Sequence, residues 1–120
     1  MSISIEFPLR LGRGLNSREH YMARAKRVKS ERWETWYALR TSGADKPHLP
    51  CVVTITRVSP RGQLDDDGAV GACKGVRDEI AAWLGVDDKH SDIVRYVCKQ
   101  ARGPWGTRIE MEEKGEVKTL

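Results

Sequence analysis

No apolar run in this chain approaches the roughly 18 residues that a membrane-crossing helix needs, and Met1 to Leu9 alternates instead of forming a signal-peptide core. Both absences predict a soluble protein of the cytoplasm with no membrane partner. Cysteine is sparse. Cys51, Cys73 and Cys98 are odd in number, far apart and flanked by apolar residues, so they read as buried, reduced thiols and not as a disulfide framework. The three histidines, His20, His48 and His90, stand alone, which excludes a zinc site built from clustered Cys and His. A Walker-type phosphate loop is missing because Cys73, not Gly, precedes Lys74. An EF-hand over 65–76 fails because Ala69, Val70 and Val76 replace a ligand, the obligatory Gly and the closing Glu. A length of 120 residues fits one domain, 1–120, with a modest core.

What the chain does have is charge, unevenly placed. The net charge is +4, yet residues 1–64 carry 12 basic and 5 acidic side chains, whereas 65–120 carry 9 and 12. Six of the acids, Asp65, Asp66, Asp67, Asp87, Asp88 and Asp92, sit in two short loops, and the rest of the chain holds 21 basic against 11 acidic residues. An anionic focus on a cationic body suits a metal-dependent enzyme that must hold a polyanion. Surface Lys and Arg serve solubility equally well.

Periodicity supplies the elements. Ile3, Ile5, Phe7 and Leu9 alternate with polar residues, predicting a strand that Pro8 ends or marks as an edge. Arg10 to Leu15, with Gly12, Gly14 and Arg13, reads as a flexible basic loop. Asn16 and Glu19 make a capping-box-like start for a helix over 17–41, with His20 in its first turn in a packed or capping role. Its expected apolar face is Tyr21, Ala25, Val28, Trp36 and Leu39, and Arg18, Arg24, Lys26, Arg27, Lys29, Arg32 and Arg40 cover its other surfaces. Residues 51–58 are rich in β-branched side chains and predict a central strand that delivers the chain to Asp65. A second helix over 67–84 buries Cys73, Val76, Ile80, Trp83 and Leu84, and places Asp67, Lys74 and Asp78 opposite, with Arg77 beside them. Strands over 93–100 and 105–113 follow, joined by a turn, and the tail from 113 reads as frayed. The order β-α-β-α-β-β predicts an α+β domain: a mixed sheet of about four strands with two helices on one face. The tryptophans at 33, 36, 83 and 105 have faces that could stack on bases, but helical or alternating apolar positions favour a core role for them, with Trp33 the first candidate for an exception.

Three adjacent carboxylates repel one another, so a folded chain keeps Asp65, Asp66 and Asp67 solvated or neutralised by a cation. Capping and the helix dipole explain one of them, not three plus the Asp87-Asp88 pair a helix later. Oxygen ligands without His or Cys fit Mg²⁺ or Mn²⁺.

Asp65 to Gly68, the helix after it and the Asp87-Asp88 pair together resemble the motif of the RusA-like Holliday junction resolvases, magnesium-dependent endonucleases common in phages and prophages. The resemblance runs from about Ile3 to Met111. It implies Asp65, Asp67 and Asp88 as catalytic metal ligands, hydrolysis of phosphodiesters in four-way or other branched DNA, a homodimer, and a phage- or prophage-encoded protein in a bacterial cytoplasm. Lys74 would reach a phosphate near the metal, while Arg10, Arg13, Arg18, Arg24, Arg27, Arg61, Lys74 and Arg77 would hold the backbone. Two positions depart from the pattern: Gly68 replaces the usual Asn, and Gly71 stands where a basic residue is expected. A slowed enzyme that Gly68→Asn accelerates is one expectation. A branched-DNA-binding relative without cleavage and a small phage structural protein are the alternatives.

Overall fold

The computed structural model describes residues 2–11, 21–87 and 92–114. Its elements are β1 (Ser2–Phe7), α1 (Tyr21–Thr41), β2 (Cys51–Ser59), α2 (Asp66–Ala72), α3 (Lys74–Leu84), β3 (Val94–Arg102) and β4 (Gly106–Glu113). The four strands form one mixed sheet in the order β1-β4-β2-β3. β2 is interior, as its β-branched run predicts, pairing parallel with β3 and antiparallel with β4. β1 lies at an edge, where Pro8 after its last residue breaks no ladder.

Register makes the core. Ile5, Ile109, Ile55 and Cys98 form one row across the sheet, and Ile3, Met111, Val53 and Tyr96 form the next. These rows meet Ala38 and Leu39 of α1, Ala72 of α2, Cys73 after it, and Val76, Ile80 and Trp83 of α3 in a single cluster. The helices therefore pack on one face, and Ser4, Glu6, Glu110, Glu112, Arg95 and Lys99 line the other, exposed face. This is the α+β arrangement that the element order predicts.

Two helical expectations change. The helix expected over 67–84 is two segments meeting at Cys73, whose ψ of −3° departs from helical values. Gly71 and Gly75 flank the junction with poor helix formers, and the bend leaves the Cys73 thiol 1% exposed in the core. In α1 the buried stripe runs through Glu31, Thr35, Ala38 and Leu39, not through the expected Tyr21, Ala25 and Trp36. Tyr21 is 72% and Trp36 41% exposed. Such a polar stripe can be buried because each group is satisfied: Arg27 pairs with Glu31 at 3.0 Å, and Thr35 Oγ1 donates to the Glu31 carbonyl at 2.8 Å. Gly75 lets α3 come this close, since a Cβ there would lie 2.9 Å from Glu31 Oε1.

Of the tryptophans, Trp83 is core, Trp105 is half-buried in the turn before β4, and Trp33 and Trp36 are exposed. The expected core role thus fails for Trp36. The expected start of the first helix, with Asn16, Glu19 and His20, and the Gly12–Gly14 loop lie outside the described residues. Among the described residues no helix is long and apolar enough to cross a membrane.

Candidate functional site

β1, β2 and β3 run in the same direction, so the chain leaves all three at one end of the sheet. The last core row at that end, Phe7, Thr107, Arg57 and Gln100, is polar in all members but Phe7. Each polar member holds a loop. Thr107 Oγ1 donates to the Leu9 carbonyl at 2.8 Å, and Arg57 Nε donates to the Leu11 carbonyl. The Gln100 amide clasps Leu64 on both sides: its Oε1 accepts from Leu64 N–H at 2.9 Å and its Nε2 donates to the Leu64 carbonyl at 2.8 Å. Arg57 Nη1 reaches the same Gln100 Oε1 at 3.3 Å, which joins the clasps into one network. Arg57 is only 3% exposed, and burial lowers its pKa from the ordinary value. The sequence offers no motif for this network, because it arises from the β2–β3 register between residues far apart in the chain.

Gln100 thereby fixes the residue immediately before the acidic run. Asp65 is the N-cap of α2, and its Oδ1 accepts the Gly68 N–H at 2.8 Å. That is the ordinary helix-start role, and it occupies one oxygen of one aspartate. Asp65, Asp66 and Asp67 are all exposed. Among the described residues Asp66 and Asp67 make no ion pair. A groove of about 440 Å³ beside them is lined by Gln63, Asp66, Ala69, Val70, Cys98, Lys99 and Gln100. Lys99, which periodicity did not single out, is thus the lysine lining the groove with Asp66.

Asp88, the third expected ligand, lies outside the described residues. Among the described residues no three His, Cys, Asp or Glu side chains gather to hold a metal ion. Gly68 has a steric reason that the sequence conceals. A Cβ at this position would lie 2.5 Å from Asp65 Oδ1 and 3.4 Å from Leu64 Cβ. Asn at 68 would displace the Asp65 carboxylate from its cap, so Gly68→Asn changes a candidate ligand along with the amide it adds.

The expected backbone-binding cations divide. Arg10 is exposed, with its guanidinium 4.3 Å from the Trp105 ring centroid, beside a pocket of about 480 Å³ that Arg102, Trp105 and Arg108 help to line. Arg61 is exposed in the loop that leads to Asp65. These two stand at the acidic end of the sheet. Lys74 instead pairs with Asp78 at 3.4 Å on α3, the solvated stripe that the helical spacing also allows. Arg27 is engaged with buried Glu31, and Arg77 lies 6.0 Å from the Tyr96 ring, facing β3. Arg24 lines a pocket along α1 with Val28 and Arg32. Arg13 and Arg18 fall outside the described residues.

Two thiols that are distant in sequence meet behind the site. Cys73, at the α2–α3 junction, neighbours Cys98 of β3, and this neighbour, aided by Arg77, lowers the Cys98 pKa to about 7 against the opposing effect of burial. The proximity of Cys98 and burial push Cys73 up. Cys98 is half-buried, not buried as its flanking residues suggest.

A scan against models of known protein families finds no match, and a search of curated proteins finds none either.

Proposed function

We propose that this protein is a metal-dependent, structure-selective DNA endonuclease of the RusA-like kind, hydrolysing phosphodiesters at four-way junctions or other branched DNA. The observation that carries the reading is the exposed run Asp65 to Asp67, anchored at Leu64 by Gln100 and standing at the same end of the sheet as Arg10, Arg61 and Arg102. Carboxylates concentrated beside cations are what a site needs if it is to bind a metal and a phosphate backbone together.

The donor chemistry fits a hard divalent cation, Mg²⁺ or Mn²⁺: oxygens only, exposed, with Asp66 and Asp67 unpaired among the described residues. Asp65, Asp67 and Asp88 would hold it. When bound, such an ion lowers the pKa of water and offsets phosphate charge. The protein's own part is placement. Gln100 and the Asp65 cap fix the start of α2, and Arg10 and Arg61 supply positive charge for the backbone on either side. A junction presents two strands for symmetric cutting, so two copies of the chain would act together as a homodimer.

One observation favours a second reading, a branched-DNA-binding relative that does not cut. Asp65 Oδ1 is already taken by the Gly68 N–H, and the pattern's Asn does not fit at 68 without moving it. Incubation with an end-labelled four-way junction, with and without Mg²⁺, separates the two. Metal-dependent nicking supports the nuclease, and binding without nicking in either condition supports the relative.

A further inference from the structure

The outer face of α1 carries aromatic side chains that the acidic site does not use. Trp33 is 58%, Tyr37 52% and Trp36 41% exposed. Lys29, Trp33, Trp36 and Arg40 follow one another at three- and four-residue spacing. They form one strip about 16 Å long by helical rise. The opposite stripe of the same helix, through Glu31, Thr35, Ala38 and Leu39, is the one that meets the core. Large aromatics left in water forgo the stabilisation that burial would give, so a contiguous set of them marks a contact surface.

The rings are already organised for flat partners. Trp33 and Tyr37 stack with centroids 5.4 Å apart and planes 11° from parallel. The Arg40 guanidinium lies 4.4 Å from the Trp36 centroid. A pocket of about 270 Å³ is lined by Trp33, Trp36, Arg32 and Glu79, the last two paired at 3.1 Å between α1 and α3.

Charge selects the occupant. α1 holds six basic residues, Arg24, Lys26, Arg27, Lys29, Arg32 and Arg40, against Glu31 and Glu34, and Glu31 is buried against Arg27. A second copy docked here about a two-fold axis would set one cationic strip against another. A polyanion with exposed π-faces satisfies both features at once: phosphates meet Lys29 and Arg40, and bases meet the rings. In a duplex the base faces are stacked away, so the match is to unpaired nucleotides.

We infer that the outer face of α1 binds single-stranded nucleic acid, with bases stacking on Trp33, Trp36 and Tyr37 and the backbone running past Lys29 and Arg40. The inference needs neither metal nor cleavage, and it stands apart from the nuclease reading. On a branched substrate, this face would take nucleotides left unpaired at the branch.

The test is a titration of the full chain, in EDTA, into a fluorescein-labelled oligothymidylate of roughly fifteen nucleotides, with a duplex of equal length at the same salt for comparison. Anisotropy reports binding and tryptophan fluorescence reports stacking. The expected result is quenching by the single strand, tighter binding than to duplex, and weakening by added salt. Trp33→Ala should weaken binding by about 5- to 150-fold, and Trp33→Phe, which keeps a ring, by less than about 5-fold. Circular dichroism should be unchanged in both. Equal affinity of wild type and Trp33→Ala, or no binding of the single strand by wild type, would overturn the inference. A dimer in analytical ultracentrifugation that Trp33→Ala abolishes, with oligonucleotide affinity unaltered, would assign the face to a second copy. Junction nicking in Mg²⁺ is a separate readout, so failure here leaves the nuclease reading standing.

Discussion

α1 and α3 pack against each other yet obey opposite rules. α3 buries Val76, Ile80, Ala81 and Trp83 at helical spacing and turns Lys74 and Asp78 outward. α1 buries Glu31 and Thr35 and turns Trp33, Trp36 and Tyr37 outward. Hydrophobic burial places α3, together with the pair that its Glu79 makes with Arg32 of α1 at 3.1 Å. In α1 the inner face buries Ala38 and Leu39 beside Glu31 and Thr35, whose polar groups are satisfied within the helix itself, and none of its exposed aromatics joins the core cluster.

The widest gap between the two helices is in stability. Ile80→Ala removes a fully buried side chain and should cost about 2–5 kcal/mol, whereas Trp33→Ala should cost under about 1 kcal/mol, mostly its stack on Tyr37. Urea melts of the two variants check this. If Trp33→Ala is as damaging as Ile80→Ala, the outer face of α1 is structural and the contrast collapses.

A smaller effect sharpens a second contrast, between the clasped Leu64 and the solvated aspartates after it. Gln100→Leu removes the clasp on both sides of Leu64 and a partner of buried Arg57. It should destabilise by about 1–3 kcal/mol, and amide hydrogen exchange at Leu64 and Gly68 should accelerate more than exchange within α3.

The smallest expected effect is chemical. Cys98 has its pKa lowered to about 7, so its thiolate, the reactive form, builds up as pH rises through that value, and it disappears below it. Cys73 moves the other way. Iodoacetamide should therefore label Cys98 first, with a rate that climbs between about pH 6 and 8, and Cys73→Ala should shift that rise toward the ordinary thiol range. Labelling of Cys98 that is unaffected by Cys73→Ala would break the pairing.

How much of this was legible in the sequence follows the same division. Strand β2, the alternation of β4 and the inner face of α3 could be read because apolar spacing states directly which side chains meet the core. The buried stripe of α1 could not, since periodicity does not record that Arg27 neutralises Glu31 four residues on. The acidic run announced itself by charge. Its anchor did not: the polar row of Thr107, Arg57 and Gln100 exists only through strand register. The steric reason for Gly68 was equally hidden, because it depends on where the Asp65 carboxylate turns back to cap α2.

The nuclease reading is tested most directly by single-turnover nicking of a four-way junction by wild type and Asp67→Asn, each with saturating Mg²⁺ and with EDTA, alongside junction binding. Asp67 is exposed and unpaired among the described residues, so Asn should leave the fold intact. The expected result is Mg²⁺-dependent nicking by wild type and at least about a 100-fold loss in Asp67→Asn, with binding kept or tightened as one carboxylate stops repelling phosphate. Nicking that Asp67→Asn leaves unchanged, or no Mg²⁺-dependent nicking by a wild type that binds the junction, would contradict the nuclease reading.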